Sequence, residues 1–218
     1  MYSESKTLVD LMNHLKKRKK YLVIKRIYDI VFSFLALILL FPFLLMIAMI
    51  IKVDSKGTIL FKQLRTGKDG KPFLMYKFRS MCENAEQMRD DLLEHNEMDG
   101  PVFKIAEDPR VTKFGRFIRR SSIDELPQLY NILRGEMSIV GPRPLAIVET
   151  KDFSDYENLR HLIKPGLTCY WQISGRNHLF FKDWIELDIK YINEMNLRTD
   201  LMIILRTVVV VIIKKGAY

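Results

Sequence analysis

The strongest pattern along the chain is one uninterrupted apolar run. From Ile30 to Ile51 the sequence IVFSFLALILLFPFLLMIAMII carries no charge. As a helix it would measure about 33 Å, enough to cross a hydrocarbon core of about 30 Å. A cleaved leader is disfavoured, because the run exceeds a usual leader core and IKVDSKG after it lacks a small-residue cleavage pattern. Basic residues crowd both flanks: Lys16 to Lys20, Lys25 and Arg26 before it, and Lys52, Lys56, Lys62 and Arg65 after it. Both flanks therefore prefer the cytoplasmic side, which a helix that enters and turns back satisfies and a spanning helix does not. Pro42 lies mid-run and predicts a kink there, with Ser33 available to satisfy freed backbone groups. The pattern favours a re-entrant helix hairpin over a span.

Outside that run the periodicities are shorter. Leu8, Leu11, Met12 and Leu15 fall at helical spacing ahead of KKRKK, which reads as an interfacial helix with a basic edge. TILFKQLR (58–65) and PFLMYKFRSM (72–81) are strand-like and flank an Asp69-Gly70 turn, predicting a β-hairpin. Helical patterns follow at 83–98, 111–120, from the Asp124-Glu125 pair to Leu133, and around 145–162. A Gly-rich polar and aromatic loop occupies 164–177, and helices close the chain at 183–195 and 200–215. The last apolar stretch, interrupted by Arg206, is too short to span and reads as a core or interfacial helix. The fold class expected is α+β and mostly helical, with a re-entrant membrane hairpin, interfacial helices and a small β-hairpin. Three regions result: a basic extension (1–20), a re-entrant membrane helix (21–56) and a domain on the cytoplasmic side (57–218).

Composition narrows the partners. Of 218 residues, 35 are Lys or Arg and 26 Asp or Glu, a net charge of +9 that suits an anionic partner. Nucleic acid is disfavoured: no recognisable binding module is present, and the apolar segment would have no purpose. Cys82 and Cys169 stand far apart without CxxC or His spacing, which fits a reducing compartment and argues against a disulfide framework or zinc site.

Candidate chemistry centres on RRSSIDELPQL (119–129), where Asp124 and Glu125 stand side by side. Ser122-x-x-Glu125 matches a capping box. With Ser122 as cap, Pro127 would clash with the carbonyl of Ile123. With Asp124 as cap, Pro127 falls where its missing N–H has no helical partner to lose, so the pattern places the cap at Asp124. Taken locally this is a structural feature. A carboxylate held at a helix N-terminus beside Arg119 and Arg120 also stays ionised, able to act as a nucleophile or hold a divalent metal.

Five motifs then occur in a specific order: KRIYDI; QLRTGKDGKPFLMYKFRSM; DPRVTKFGRFIRRSSIDELPQLYNILRGEMSIVGPRP; KPGLTCYWQISGRN; and LDIKYINEMNLRTDLMIILRT. In these the chain resembles the bacterial sugar transferase family, polyprenyl-phosphate phosphoglycosyl transferases of the monotopic class in their minimal form, from about Lys25 to Thr207. It departs from the family pattern at Cys169 and Tyr170, and at Thr199 before Asp200. The resemblance implies transfer of a sugar-1-phosphate from a UDP-sugar to undecaprenyl phosphate with release of UMP and with Mg²⁺ as cofactor, the first membrane step of a bacterial surface glycan. It implies Asp124 as nucleophile and Glu125 as its assistant, both near the metal. Lys77, Arg79, Arg119, Arg143 and Arg176 match anion-binding positions, and Asp188 and Asp200 match acidic positions that organise arginines or metal. Structural alternatives stand beside these: headgroup contact for Lys77 and Arg79, a solvent-facing charge set for Asp188, and an N-cap of the last helix for Asp200. The implied location is the cytoplasmic face of the bacterial inner membrane, monotopic, against anionic headgroups, with a homodimer allowed. The rival function is a catalytically degenerate scaffold of polysaccharide assembly, against which the intact Asp124, Glu125, Arg143 and Arg176 argue.

Overall fold

The computed structural model of the chain describes residues 2–175 and 179–213, with side chains from residue 7 onward. Two helices open the fold, α1 (Tyr2–Lys17) and α2 (Lys19–Asp54). The 36 residues of α2 span about 54 Å and contain the whole apolar run. This is the one helix among the described residues long and apolar enough to cross a membrane by length and composition.

Here the structure departs from the expected hairpin. α2 runs uninterrupted through Pro42. Proline removes one ladder bond among many, and packing holds the helix on both sides of it: Ala36 and Leu37 against the main core, and Phe43, Leu44, Ile47, Ala48 and Ile51 against a smaller one. Ser33 mends no backbone break; it is fully buried, more than two turns from Pro42, and its hydroxyl has no hydrogen-bond partner among the described residues. One stripe of α2 is buried, while Phe34, Ile38, Leu39, Phe41, Leu45, Met49 and Val53 are exposed. Both ends are tied to the rest of the chain. Arg26 donates to the carbonyl oxygens of Ile132 and Leu133 (2.5 and 2.8 Å), and Asp29 accepts from the Ile139 N–H (2.9 Å). At the far end Arg79 donates to the Ser55 carbonyl oxygen (2.6 Å) and hydroxyl (3.0 Å).

The expected hairpin of strands is present. β1 (Leu60–Thr66) and β2 (Pro72–Phe78) pair antiparallel from Leu60↔Phe78 to Thr66↔Pro72. Between them Asp69 takes the left-handed conformation (φ 57°), which Asp tolerates in a turn. Strand alternation then puts Lys77 on the same face as the buried Phe73 and Met75.

The segment expected as a helix at 83–98 contains a 3₁₀ helix, Gln87–His95, with no buried residue. Without an apolar face to pack, nothing there favours the longer α-helical ladder. Next come α3 (Lys113–Arg120), a 3₁₀ turn (Ile123–Glu125), α4 (Gln128–Arg134) and β3 (Ser138–Val140). The helical stretch expected around 145–162 is divided into α5 (Ile147–Thr150), α6 (Asp155–Asn158) and a 3₁₀ turn (Leu159–Leu162). A Ser154–Glu157 capping box, with the Ser154 N–H donating to Glu157 at 2.7 Å, starts α6 afresh and so divides it. The loop at 164–177 contains β4 (Gly166–Thr168), parallel to β3, and α7 (Tyr170–Ile173). The chain closes with α8 (Phe181–Glu194) and α9 (Leu197–Ile213). The main core gathers Ile139 and Val140 of β3, Trp184, Ile185, Ile189 and Ile192 of α8, and Ile203 of α9.

Candidate active site

The Asp124-Glu125 pair sits in the short 3₁₀ turn between α3 and α4. Neither capping expectation holds. Ser122 is left-handed (φ 55°) and its side chain caps nothing, while Pro127 itself precedes the first residue of α4. The Glu125 N–H bonds the Ser122 carbonyl and the Leu126 N–H bonds that of Ile123, so three-residue turns run up to Pro127. The proline thus marks a boundary between two helical pieces, where its missing N–H interrupts no α-helical ladder.

Neighbouring elements aim cations at the pair. From β2, Lys77 Nζ reaches Glu125 Oε1 at 2.8 Å and lies 4.0 Å from Asp124 Oδ2. From the GPRP segment, Arg143 Nη2 reaches the same Glu125 oxygen at 2.8 Å. Arg119 comes from the last turn of α3, whose placement depends on Gly115: a Cβ there would lie 1.9 Å from the Ser80 carbonyl oxygen. Arg119 Nε in turn donates to Ser80 Oγ at 3.0 Å. Asp124, Glu125, Lys77, Arg119, Arg143 and Arg65 line a cavity of about 260 Å³. A second of about 370 Å³ shares Lys77, Arg119, Asp124 and Arg65 with it and adds Arg79.

The two carboxylates differ in kind. Both are buried, at 7 and 8% exposure. Burial pushes Asp124 up to about 6, against the pull of Lys77, and the negative charge of Glu125 pushes the same way. Burial would raise Glu125 too, but Arg143 and Lys77 outweigh it and hold Glu125 well below the usual carboxylate range. Burial lowers Lys77, with Glu125 opposing. Among the described residues Asp124 accepts no hydrogen bond, so its oxygens are open to a ligand in the cavity. Glu125 is the fixed partner and Asp124 the available one.

The described residues contain no cluster of three or more His, Cys, Asp or Glu able to cage a metal. Two adjacent carboxylates still fit Mg²⁺, which is usually held by one or two carboxylates together with substrate phosphates and water.

The other expected site residues fall in different places. Arg79 lines the second cavity; its Nη2 bonds Ser55 and the end of α2, while its Nε and Nη1 have no hydrogen-bond partner among the described residues. Asp188 is not solvent-facing: it is 1% exposed and pairs with Arg160 at 2.7 Å. Asp200 is no N-cap, since Asn196 Oδ1 accepts from the Thr199 N–H there (3.0 Å). It lies outside both cavities, in a buried cluster with Lys25 (2.8 Å), Tyr21 (2.8 Å), Tyr191 (2.7 Å) and Tyr28. Arg176 lies outside the described residues. Sequence reasoning did not find Arg65, Glu149, Trp171 and Trp184 in the cavity wall, nor Arg160 behind it. Arg65 sits in the quoted QLRTGKDGK and the tryptophans are the chain's only two, but nothing in NLRHL marks Arg160.

Comparison with known proteins identifies the family. A family model described as bacterial sugar transferase matches residues 20–214. Galactosyl transferase CpsE of Streptococcus agalactiae is 44% identical over 90% of this chain and 44% of its own length. Undecaprenyl-phosphate galactose phosphotransferase of Salmonella typhimurium is 39% identical over all of this chain and 46% of its own. Exopolysaccharide production protein ExoY of Sinorhizobium fredii is 38% identical, covering 89% of this chain and 88% of its own. The chain therefore spans about half the length of the first two relatives and most of the third. With the match running from the start of α2 through the end of α9, the chain belongs to the bacterial sugar transferase family.

Proposed function

We propose that the chain transfers a sugar-1-phosphate from a UDP-sugar to undecaprenyl phosphate, in two steps through Asp124. In the first, an Asp124 carboxylate oxygen bonds to the β-phosphorus, the bond from that phosphorus to the bridging oxygen breaks, and UMP leaves with the electron pair. In the second, a phosphate oxygen of the lipid bonds to the same phosphorus and the bond to Asp124 breaks. Splitting the transfer lets a water-soluble donor and a lipid acceptor use one site in turn. The observation that carries the reading is the contrast within the pair: a buried carboxylate that takes no hydrogen bond from the described residues, beside one that Lys77 and Arg143 hold.

Lys77, Arg119 and Arg143 offset charge on the diphosphate, and arginine's planar fork suits phosphate oxygens. Mg²⁺, held by Asp124 or Glu125 with the donor's phosphates, would supply further charge neutralisation at the transferring group. The relatives' names include galactose and glucose transferases, so UDP-galactose and UDP-glucose are the first donors to test. In this reading both ends of α2 stay at the cytoplasmic face of the membrane; the support is that one end is bonded to α4 and the other to Arg79 after β2, and α4 packs against β2.

The experiment uses UDP-sugar labelled at the β-phosphate, without lipid acceptor. Label becomes covalently attached to the protein and UMP appears; Asp124→Asn abolishes both. Normal turnover by Asp124→Asn would sink the covalent route.

A further inference from the structure

Arg143 carries one of the two cations on Glu125, yet its segment has no regular secondary structure to hold it. What holds the backbone is a bond to each of three consecutive carbonyl oxygens. The Gly166 N–H donates to Pro142 (2.8 Å), Arg160 Nη2 to Arg143 (2.7 Å) and Arg65 Nη1 to Pro144 (3.2 Å). Gly166 belongs to β4 and Arg65 to β1. Arg160 comes from the 3₁₀ turn after α6, is 1% exposed, and contacts neither carboxylate of the pair.

A second link joins the same two arginines. The Arg160 guanidinium lies 5.7 Å from the Trp184 ring centroid, Trp184 stacks on Trp171 (4.4 Å, 18°), and the Arg143 guanidinium lies 5.4 Å from the Trp171 centroid. Arginine favours such contacts because its flat, weakly hydrated cation meets the negative ring face. Asp188 neutralises Arg160 through Nε (2.9 Å) and Nη2 (2.7 Å), fixing the plane of its guanidinium. A buried ion pair is by itself weak support for stability, since desolvation offsets most of its attraction. Here the pair also sets a hydrogen bond and a ring contact that both end at Arg143.

We infer that Arg160 is a positioning residue: from behind the cavity it fixes Arg143 against Glu125, by its bond to the Arg143 carbonyl and through the Trp184–Trp171 stack. The activity readout of this inference rests on the proposed transfer reaction.

Arg160→Lys tests it, because lysine keeps a cation opposite Asp188 but lacks the fork that reaches Arg143. UMP release falls about tenfold, in line with losing a charged hydrogen bond and shifting a substrate-contacting group. In an Arg143→Ala background the same change alters the rate less than twofold, since there is no side chain left to position. Trp171 and Trp184 are the only tryptophans, so the near-UV circular dichroism of the pair reads the stack directly, and Arg160→Lys diminishes it. Equal losses in both backgrounds, or an unchanged rate with an unchanged tryptophan signal, overturn the inference. Should Arg160→Lys lose the far-UV signal of the fold, Trp184→Phe runs the same cycle with the rate as its reading, since it removes half of the tryptophan pair. An unsubstituted protein that releases no UMP from any UDP-sugar fails the reaction reading alone. The tryptophan signal then decides: diminished by Arg160→Lys it supports the brace, unchanged it overturns it.

Discussion

At the scale of single residues, the site turns on two adjacent carboxylates in opposite electrostatic states. Asp124 titrates at about 6 because burial disfavours its charge more than Lys77 favours it. On the proposed route Asp124 is the nucleophile and must be ionised, so kcat/KM for UMP release rises with pH up to about 6 and levels off above it. Below that point it falls tenfold per pH unit. Lys77→Met removes the charge that lowers Asp124 and moves this limb to higher pH; Glu125→Gln removes the charge that raises it and moves the limb lower. A limb unmoved by both changes would refute the electrostatic account, and pH profiles of the three proteins decide it. Adjacent acids flanked by basic residues were legible in RRSSIDELPQL, as was Arg143 in GPRP. Which acid the cations would take was not, because Lys77 lies 48 residues from Glu125 and only the strand register brings it there. The brace at Arg160 was invisible for the same reason: its partners lie 17 and 28 residues away, at Arg143 and Asp188.

At the scale of elements, the placement of α3 decides where Arg119 stands. The helix starts at Thr112, whose hydroxyl accepts from the Gly115 N–H (2.9 Å) while its own N–H donates to the Ser80 carbonyl (3.1 Å). Gly115 meets that same carbonyl too closely for any Cβ. Gly115→Ala therefore forces α3 away from the end of β2, costing about 1–3 kcal/mol of overpacking strain. It also lengthens the bond of Arg119 to Ser80. A melting temperature lower by several degrees, with a raised KM for UDP-sugar, is the expected result; an unchanged KM would detach Arg119 from donor binding. The β-hairpin and the helical character of α3, α4, α8 and α9 were legible, because turn chemistry and periodicity are local. The division of 145–162 was less so. Ser154-x-x-Glu157 is a readable start signal, but the apolar residues around it continue the helical pattern on both sides, and only packing separates the pieces. The cap argument at Asp124 erred differently: it took one helix to run through Pro127, where the chain makes a 3₁₀ turn and begins again.

At the scale of the whole molecule, the question is how one apolar helix of about 54 Å meets a bilayer. Length and composition alone allow α2 to span, and its helix runs on through Pro42, where the sequence implied a turn. The bonds at its two ends argue the other way. Arg26 is fixed to the end of α4 and Ser55 to Arg79 at the end of β2, about 43 Å apart along the helix. If α2 crossed the membrane, one of these arginines and the elements around it would have to cross with it, or both bonds would have to break. Drawing a guanidinium and its carbonyl partners into hydrocarbon costs several kcal/mol, whereas lying along one leaflet leaves the bonds intact and gives the exposed face of Phe34, Ile38, Phe41, Leu45 and Met49 to lipid. The basic flanks favour the same placement from charge, so both arguments support the proposed one-sided topology. Cysteine labelling in sealed membrane vesicles tests this with an internal reference. Cys82 is partly exposed and marks the side of the catalytic elements, while Cys169 is buried and silent to an aqueous reagent. Lys16→Cys and Lys56→Cys should each become accessible from the same side as Cys82. Labelling of Lys16→Cys from the opposite side, with Cys82 and Lys56→Cys together, would mean that α2 spans and that the bonds at Arg26 do not survive in the membrane.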